Sequence, residues 1–123
     1  MTPFGEKLRT LRRQRGLSLK QMAADLHLSS AYLSALEHGH RGRPSPGLVM
    51  QIIGYFNVIW DDAEDMKELA RLSHPKVTLD TAGLSPSATL LANRLAEEID
   101  RLPEEKLQAL LDIVARDPSL RSG

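Results

Sequence analysis

Leu11–Ser45 reads LRRQRGLSLKQMAADLHLSSAYLSALEHGHRGRPS. Two helix starts lie close together in this stretch. Ser18 is a capping hydroxyl, and Gln21 three residues on completes a capping-box pattern. Leu19, Met22, Ala23 and Leu26 follow at helical spacing and form an inner face. A short turn, His27-Leu28, leads to Ser29, a second cap. Tyr32, Leu33 and Leu36 lie on or near the inward side of the helix that follows, and Gly39 ends it. The pattern is two short helices joined by a tight turn.

Outward from this stretch the same punctuation recurs. Thr2-Pro3 is a cap followed by proline at the first helical position. Phe4, Leu8 and Leu11 then keep helical spacing until Arg15-Gly16. Ser45-Pro46 opens a fourth helix with Leu48, Val49, Ile52, Ile53 and Phe56 on its apolar side, ending near Asn57. A fifth is expected from Asp61 to Leu72, with Asp61, Asp62 and Glu64 at its favourable N-terminus. Trp60, Met66, Leu69 and Ala70 are its packing candidates. No strand signal interrupts these five helices.

Residues 73–84 break the pattern. Ser73-His74-Pro75 stops the helix, and Lys76-Val77-Thr78-Leu79 suits a short extended piece. Ser85-Pro86 then repeats the cap-proline start. Leu84, Ala88, Leu91, Leu95, Ile99 and Leu102 fall at helical steps of three and four and form one stripe. Pro103 starts another helix with Leu107, Leu110, Leu111 and Val114 facing one way. Asp117-Pro118 ends it, and residues 118–123 should fray. The reading is all-α: five helices over 1–72, a linker over 73–84 and a helical hairpin over 85–117.

Charge divides the chain as the helices do. The whole carries 16 Lys and Arg against 16 Asp and Glu. Residues 1–60 hold 8 basic against 3 acidic side chains, and residues 61–123 hold 8 against 13. A basic half followed by an acidic half suits one polyanion-facing surface and one other task. The absence of cysteine excludes disulfides and thiolate metal sites. With 4% aromatic residues the chain lacks the base-stacking sheet of many RNA binders. No apolar run approaches the roughly 20 residues of a membrane span, and MTPFGEKLRT lacks a secretory apolar stretch. The expected address is the cytoplasm, at the nucleoid.

The order of second helix, turn and third helix is a helix-turn-helix. Residues 4–72 resemble the phage-repressor-like (Cro/CI, XRE-type) DNA-binding domain. The resemblance rests on Leu11, Arg12 and Gly16, on Ser18-x-x-Gln21-x-Ala23, and on Ser29-x-x-Tyr32-Leu33-x-x-Leu36-Glu37-x-Gly39, with Pro44-Ser45 before the fourth helix. It implies a five-helix lambda-repressor-like domain whose third helix lies in the major groove of double-stranded DNA.

Position by position, the resemblance implies Ser30, Ala31, Ser34 and Ala35 as base-facing residues. Serines can donate or accept at base edges, and alanines suit a thymine methyl. Ser18, Lys20 and Ser29, at capped helix starts, are expected to face phosphates. Arg41 and Arg43 flank Gly42 in the following loop and are expected there too. Tyr32 has two readings: a hydroxyl on phosphate, or a half-buried core aromatic. Relatives often carry Gln where this chain has Leu19, and Gly where it has His27. His27 is then either a plain turn residue in a left-handed conformation or an imidazole near phosphate. Arg12 and Glu37 match a pair that forms a buried salt bridge in relatives. Arg9, Arg13 and Arg15 would add only to the field.

The acidic hairpin stripe has two readings. It pairs with a second copy, giving a homodimer on a palindromic operator, or it folds back over the first domain. A further alternative is an antitoxin-like or adaptor protein whose hairpin binds a partner protein while DNA binding serves autoregulation. No nucleophile elbow, phosphate loop or HExxH motif appears. The four histidines lack a ligand framework. No catalysis, metal or cofactor is expected.

Overall fold

The computed structural model describes residues 1–40 and 44–116. These form seven helices: α1 (Pro3–Gln14), α2 (Leu19–Asp25), α3 (Ser30–His38), α4 (Pro46–Tyr55), α5 (Trp60–Arg71), α6 (Pro86–Glu98) and α7 (Glu104–Arg116). The chain divides into two compact units, Met1–Val77 and a second beginning at Thr78. Arg41, Gly42, Arg43 and residues 117–123 lie outside the described residues, and with them the basic loop's arginines and the expected frayed end.

Local chemistry explains where the helices of the first unit begin. Thr2, Ser18, Ser29 and Ser45 each hold extended backbone and accept a hydrogen bond from the N–H three residues on. Each satisfies a donor that the helix itself leaves without a partner. Pro3 and Pro46 occupy first helical positions, where no N–H is missed. Gly39, at φ 76°, supplies the left-handed residue that ends α3. One expected feature does not form. Gln21 does not complete the reciprocal capping box, because its side-chain amide donates to Asp25 Oδ1 at 2.9 Å.

The core joins one face from every helix of this unit. Phe4 and Leu8 of α1, Met22 of α2, Leu33 of α3, Ile52 of α4 and Met66 of α5 are all at most 1% exposed. α1 packs on α3 and α5, α2 on α3, and α4 on α5. The closest approach is at Gly5 of α1. A Cβ there would stand 2.4 Å from the Glu37 carbonyl oxygen and 2.8 Å from that of Leu36. Only a residue without a side chain lets α1 lie against the end of α3. The same end of α1 also meets Ser73, whose buried Oγ accepts the Phe4 N–H at 2.9 Å and donates to the Leu69 carbonyl. That hydroxyl caps the start of α1 from the end of α5.

Trp60 departs from expectation. It is 83% exposed and has φ +56°, a left-handed conformation that bulky side chains avoid. Its hydrophobicity marks it as a packing candidate, but the backbone that leads into α5 turns it outward. Met66, Leu69 and Ala70 do pack. Residues 76–79 form no strand, and none occurs among the described residues.

The second unit is a two-helix hairpin preceded by a turn. Asp80 Oδ1 accepts from Ala82 N, Gly83 takes φ 81°, and Thr89 Oγ1 donates to Thr81 Oγ1 at 2.9 Å. Ser85 caps α6 and Pro86 starts it. No described residue of α6 or α7 is buried. Leu91 is 56% exposed, Ile99 57% and Val114 65%. Within this unit Ala88, Leu95, Leu102 and Leu107 of the apolar stripe are half-buried, and the rest of it is exposed.

Candidate nucleic-acid interface

The turn between α2 and α3 is built by backbone hydrogen bonds. Leu28 N–H donates to the Ala23 carbonyl at 2.8 Å and His27 N–H to that of Ala24 at 3.2 Å. His27 sits at φ 57°, taking the left-handed conformation that a glycine often takes in this turn. Leu26 and Leu28 pack against the core from either side of it. The entry to α3 is thereby tied to α2 by main chain and apolar contacts together.

α3 then separates its side chains by azimuth. Leu33, Leu36 and Glu37 are buried. At 100° per residue, Ser30, Ala31, Ser34, Ala35 and His38 fall within one arc of about 140°, with Ser30 at its edge beside Glu37. Ser30, Ala31 and His38 are exposed, while Ser34 and Ala35 are half-buried. The four base-facing candidates therefore share a single outward face. His38 shares it too, one turn beyond Ser34. The sequence reading omitted it, although its spacing from Ser34 and Ala31 is the signal that could have found it. Tyr32 packs against the core while remaining half-exposed.

The capping hydroxyls Ser18 and Ser29 are exposed at the starts of α2 and α3. Each Oγ accepts a backbone N–H at 3.0 Å, from Gln21 and Tyr32 respectively. A hydroxyl in that role keeps its own proton to donate. Lys20 is exposed beside Ser18.

Several cations of the basic half turn inward. Arg12 grips Glu37 with two nitrogens, Nε to Oε2 at 2.9 Å and an Nη to Oε1 at 3.3 Å. Its other Nη donates to the Leu17 carbonyl at 3.0 Å. Glu37 is 1% exposed, so its carboxylate relies on these arginines for the solvation it has lost. Arg9 Nε lies 3.5 Å from Glu37 Oε1 yet is buried without a hydrogen-bond partner. The contact is close enough for Coulomb attraction but too poorly aligned for a hydrogen bond. Arg15 donates to the Phe56 carbonyl at 2.7 Å and lies over the Phe56 ring at 5.7 Å. Arg9 and Arg15 thus have structural partners as Arg12 does, which sequence spacing alone did not show. Among the described basic residues before α4, Lys7, Arg13, Arg15 and Lys20 are exposed, Arg15 with its partner at Phe56.

A second polar tie braces α2. Tyr55 O–H donates to Asp25 Oδ2 at 2.5 Å, while Gln21 holds Oδ1. Donation to the carboxylate favours the neutral phenol. That bond, with partial burial and the nearby negative charge, pushes the Tyr55 hydroxyl up to about 12. Among the described residues no group of three metal-ligating side chains comes together, and no helix is long and apolar enough to cross a membrane.

Comparison with known proteins centres on this same region. Residues 3–64 match the family model described as a helix-turn-helix domain. The HTH-type transcriptional regulator RghRB of Bacillus subtilis (strain 168) is 39% identical over 62 residues, covering 50% of this chain and 45% of that protein. The HTH-type transcriptional repressor RghR of the same organism is 40% identical over 52 residues, covering 42% of this chain and 38% of that protein. The chain therefore spans less than half the length of either relative. No solved structure matches it.

Proposed function

The chain belongs to the helix-turn-helix family that its residues 3–64 match, and from that premise we propose that it is a transcriptional repressor binding a palindromic operator as a homodimer. Residues 1–72 carry the DNA-binding surface, residues 73–84 link, and residues 85–117 join two copies. α3 enters the major groove with Ser30, Ala31, Ser34 and Ala35 toward base edges. Ser18, Lys20, Ser29, Tyr32, Arg41 and Arg43 face phosphates. The single observation that carries this reading is the outward face of α3, where four small side chains are aligned with capped helix starts beside them.

Small side chains give the reading its character. None of the four can make the bidentate base contact of Arg or Gln. Discrimination then leans on thymine methyls, serine hydroxyls and DNA shape, and affinity leans on phosphate contacts. Doubling those contacts through a dimer suits such a surface. The unburied stripe of α6 and α7 supports the dimer, because each buried aliphatic side chain contributes about 1.5–3 kcal/mol against an association cost of about 4–15 kcal/mol. RghR is named a repressor, which favours repression for its relative. The reading carries with it a cytoplasmic, nucleoid-associated address.

Selection of genomic fragments by the purified protein tests the proposal. Recovered sites should be palindromic, with half-sites about 10 base pairs apart or a multiple of that. Replacing Ser30 and Ala31 together should abolish sequence preference, whereas replacing Arg41 and Arg43 should weaken binding to all DNA and flatten its salt dependence. Equal affinity for selected and random duplex rejects the proposal. The exposed stripe also favours a second reading, in which the hairpin binds a partner protein and DNA binding serves autoregulation. A solution mass of one chain, with a partner that copurifies, supports that reading over the homodimer.

A further inference from the structure

α3 is tied to α1 at two azimuths, and only the inner tie belongs to the buried salt bridge. Glu37 faces the core and meets Arg12. His38 is one residue on, about 100° around the helix, and it meets Arg9. The Arg9 Nη2 lies 2.8 Å from His38 Nε2, while His38 Nδ1 lies 2.8 Å from the Ser34 carbonyl oxygen and 3.5 Å from Ser34 Oγ. A carbonyl only accepts and a guanidinium only donates. Both bonds exist together in one state of the ring alone: neutral, with the proton on Nδ1 and the lone pair on Nε2.

We propose that Arg9 and His38 are positioning residues, a neutral-imidazole pin that sets the roll of α3 and so the angle at which its Ser34 turn meets DNA. The proposal rests on the reading of α3 as the groove helix. Leu33 and Leu36 seat α3 in the core, and a polar tie about 100° around the helix from Glu37 narrows the roll that remains. Arg9 suits the task because it spans both ties, its Nε 3.5 Å from Glu37 Oε1. With that Nε lacking a hydrogen bond, the bond to His38 orients the guanidinium. The pinned ring also holds the carbonyl of Ser34, a proposed base-facing position.

The pin has a proton dependence written into it. An imidazolium donates from both nitrogens, so a second proton on His38 sets donor against donor and brings two cations together. The groups around the ring are Arg9 from α1, the buried Glu37 with its partner Arg12, and His40, whose ring stacks at 6.2 Å. Protonation therefore breaks the Arg9–His38 bond, leaving Arg9 its contact with Glu37, while adding positive charge near the DNA. The first change lowers sequence discrimination; the second does not lower general affinity for a polyanion.

Affinities of the intact chain for a fragment-selected duplex and for its scrambled counterpart, at fixed salt, test this. At about pH 8, His38→Ala and Arg9→Lys should each reduce the affinity ratio about fivefold, as expected for one lost hydrogen bond. Binding to scrambled duplex should hold. His38→Gln offers an amide that donates to the Ser34 carbonyl and accepts from Arg9, so it should keep the ratio. In the wild type the ratio should fall on acidification, which protonates an imidazole, and in His38→Gln it should not. Long-range nitrogen–proton NMR of the wild-type ring should show the Nδ1–H form at the higher pH. An Nε2–H ring, or a preference unmoved by His38→Ala, overturns the pin. Equal wild-type affinity for both duplexes overturns the groove reading, and the pin's role with it.

Discussion

Residues 1–77 and the segment from residue 78 place their apolar side chains in opposite ways. In the first, leucines, isoleucines and phenylalanines from five helices meet in one core, and Glu37 and Ser73 are buried only because each has partners. In the second, a stripe of equal regularity runs along α6 and α7 with no described residue buried. The same helical periodicity thus appears in a unit that buries its apolar faces and in one that leaves its stripe unburied. Periodicity reports that a face exists. It does not report what covers that face. In the account proposed here, the first unit reads DNA and the second supplies the second copy.

Breaking the completeness of the first unit should have the largest effect. Glu37→Ala leaves two arginine head groups beside an empty pocket and should lower the unfolding free energy by about 3–5 kcal/mol, measured by urea denaturation. Gly5→Ala should follow at about 3 kcal/mol, since the atoms its methyl meets are backbone carbonyl oxygens of α3 that cannot swing aside. A loss below about 1 kcal/mol in either variant would show that the α1–α3 contact is looser than described.

A smaller effect sharpens the comparison through pH. The Tyr55 phenol is held neutral by Asp25 and titrates near about 12 instead of its ordinary 10. A raised value means that the folded state holds the proton more tightly than the unfolded chain does. This contribution is fully present below pH 10 and is lost as pH rises from 10 toward 12. Wild-type stability should decline over that interval more steeply than that of Tyr55→Phe. Parallel curves would separate Tyr55 from Asp25. The smallest effect belongs to the second unit. Leu91→Glu with Leu111→Glu should leave the unfolding of residues 1–77 within about 0.5 kcal/mol of wild type, as surface changes do. The same pair should convert a dimer to a monomer by light scattering. Unchanged mass would show that the stripe is not the dimer contact.

Sequence patterns made the helix starts legible because their chemistry is local. Thr2, Ser18, Ser29 and Ser45 bond to N–H groups three residues away, and Gly39 ends α3 through its own φ. The shared outward face of Ser30, Ala31, Ser34 and Ala35 follows from spacing alone. What escaped depends on distant partners. The Ser73 hydroxyl meets Phe4 across 69 residues, and Arg15 meets Phe56 across 41. Gly5 looks like any helical glycine until the end of α3 is laid against it. Arg9 looks like a surface cation until Glu37 and His38 are in place. Trp60 shows the reverse: hydrophobicity marked it for the interior, and a left-handed backbone turned it to solvent. Of the basic half's cations, Arg9, Arg12 and Arg15 serve the fold, so its charge overstates what faces DNA.

The most direct measurement is the affinity of the purified chain for a fragment-selected duplex and for a scrambled duplex of the same composition, at one salt concentration. Sequence-specific binding through α3 predicts a preference of about a thousandfold or more for the selected duplex. Equal affinities would contradict it.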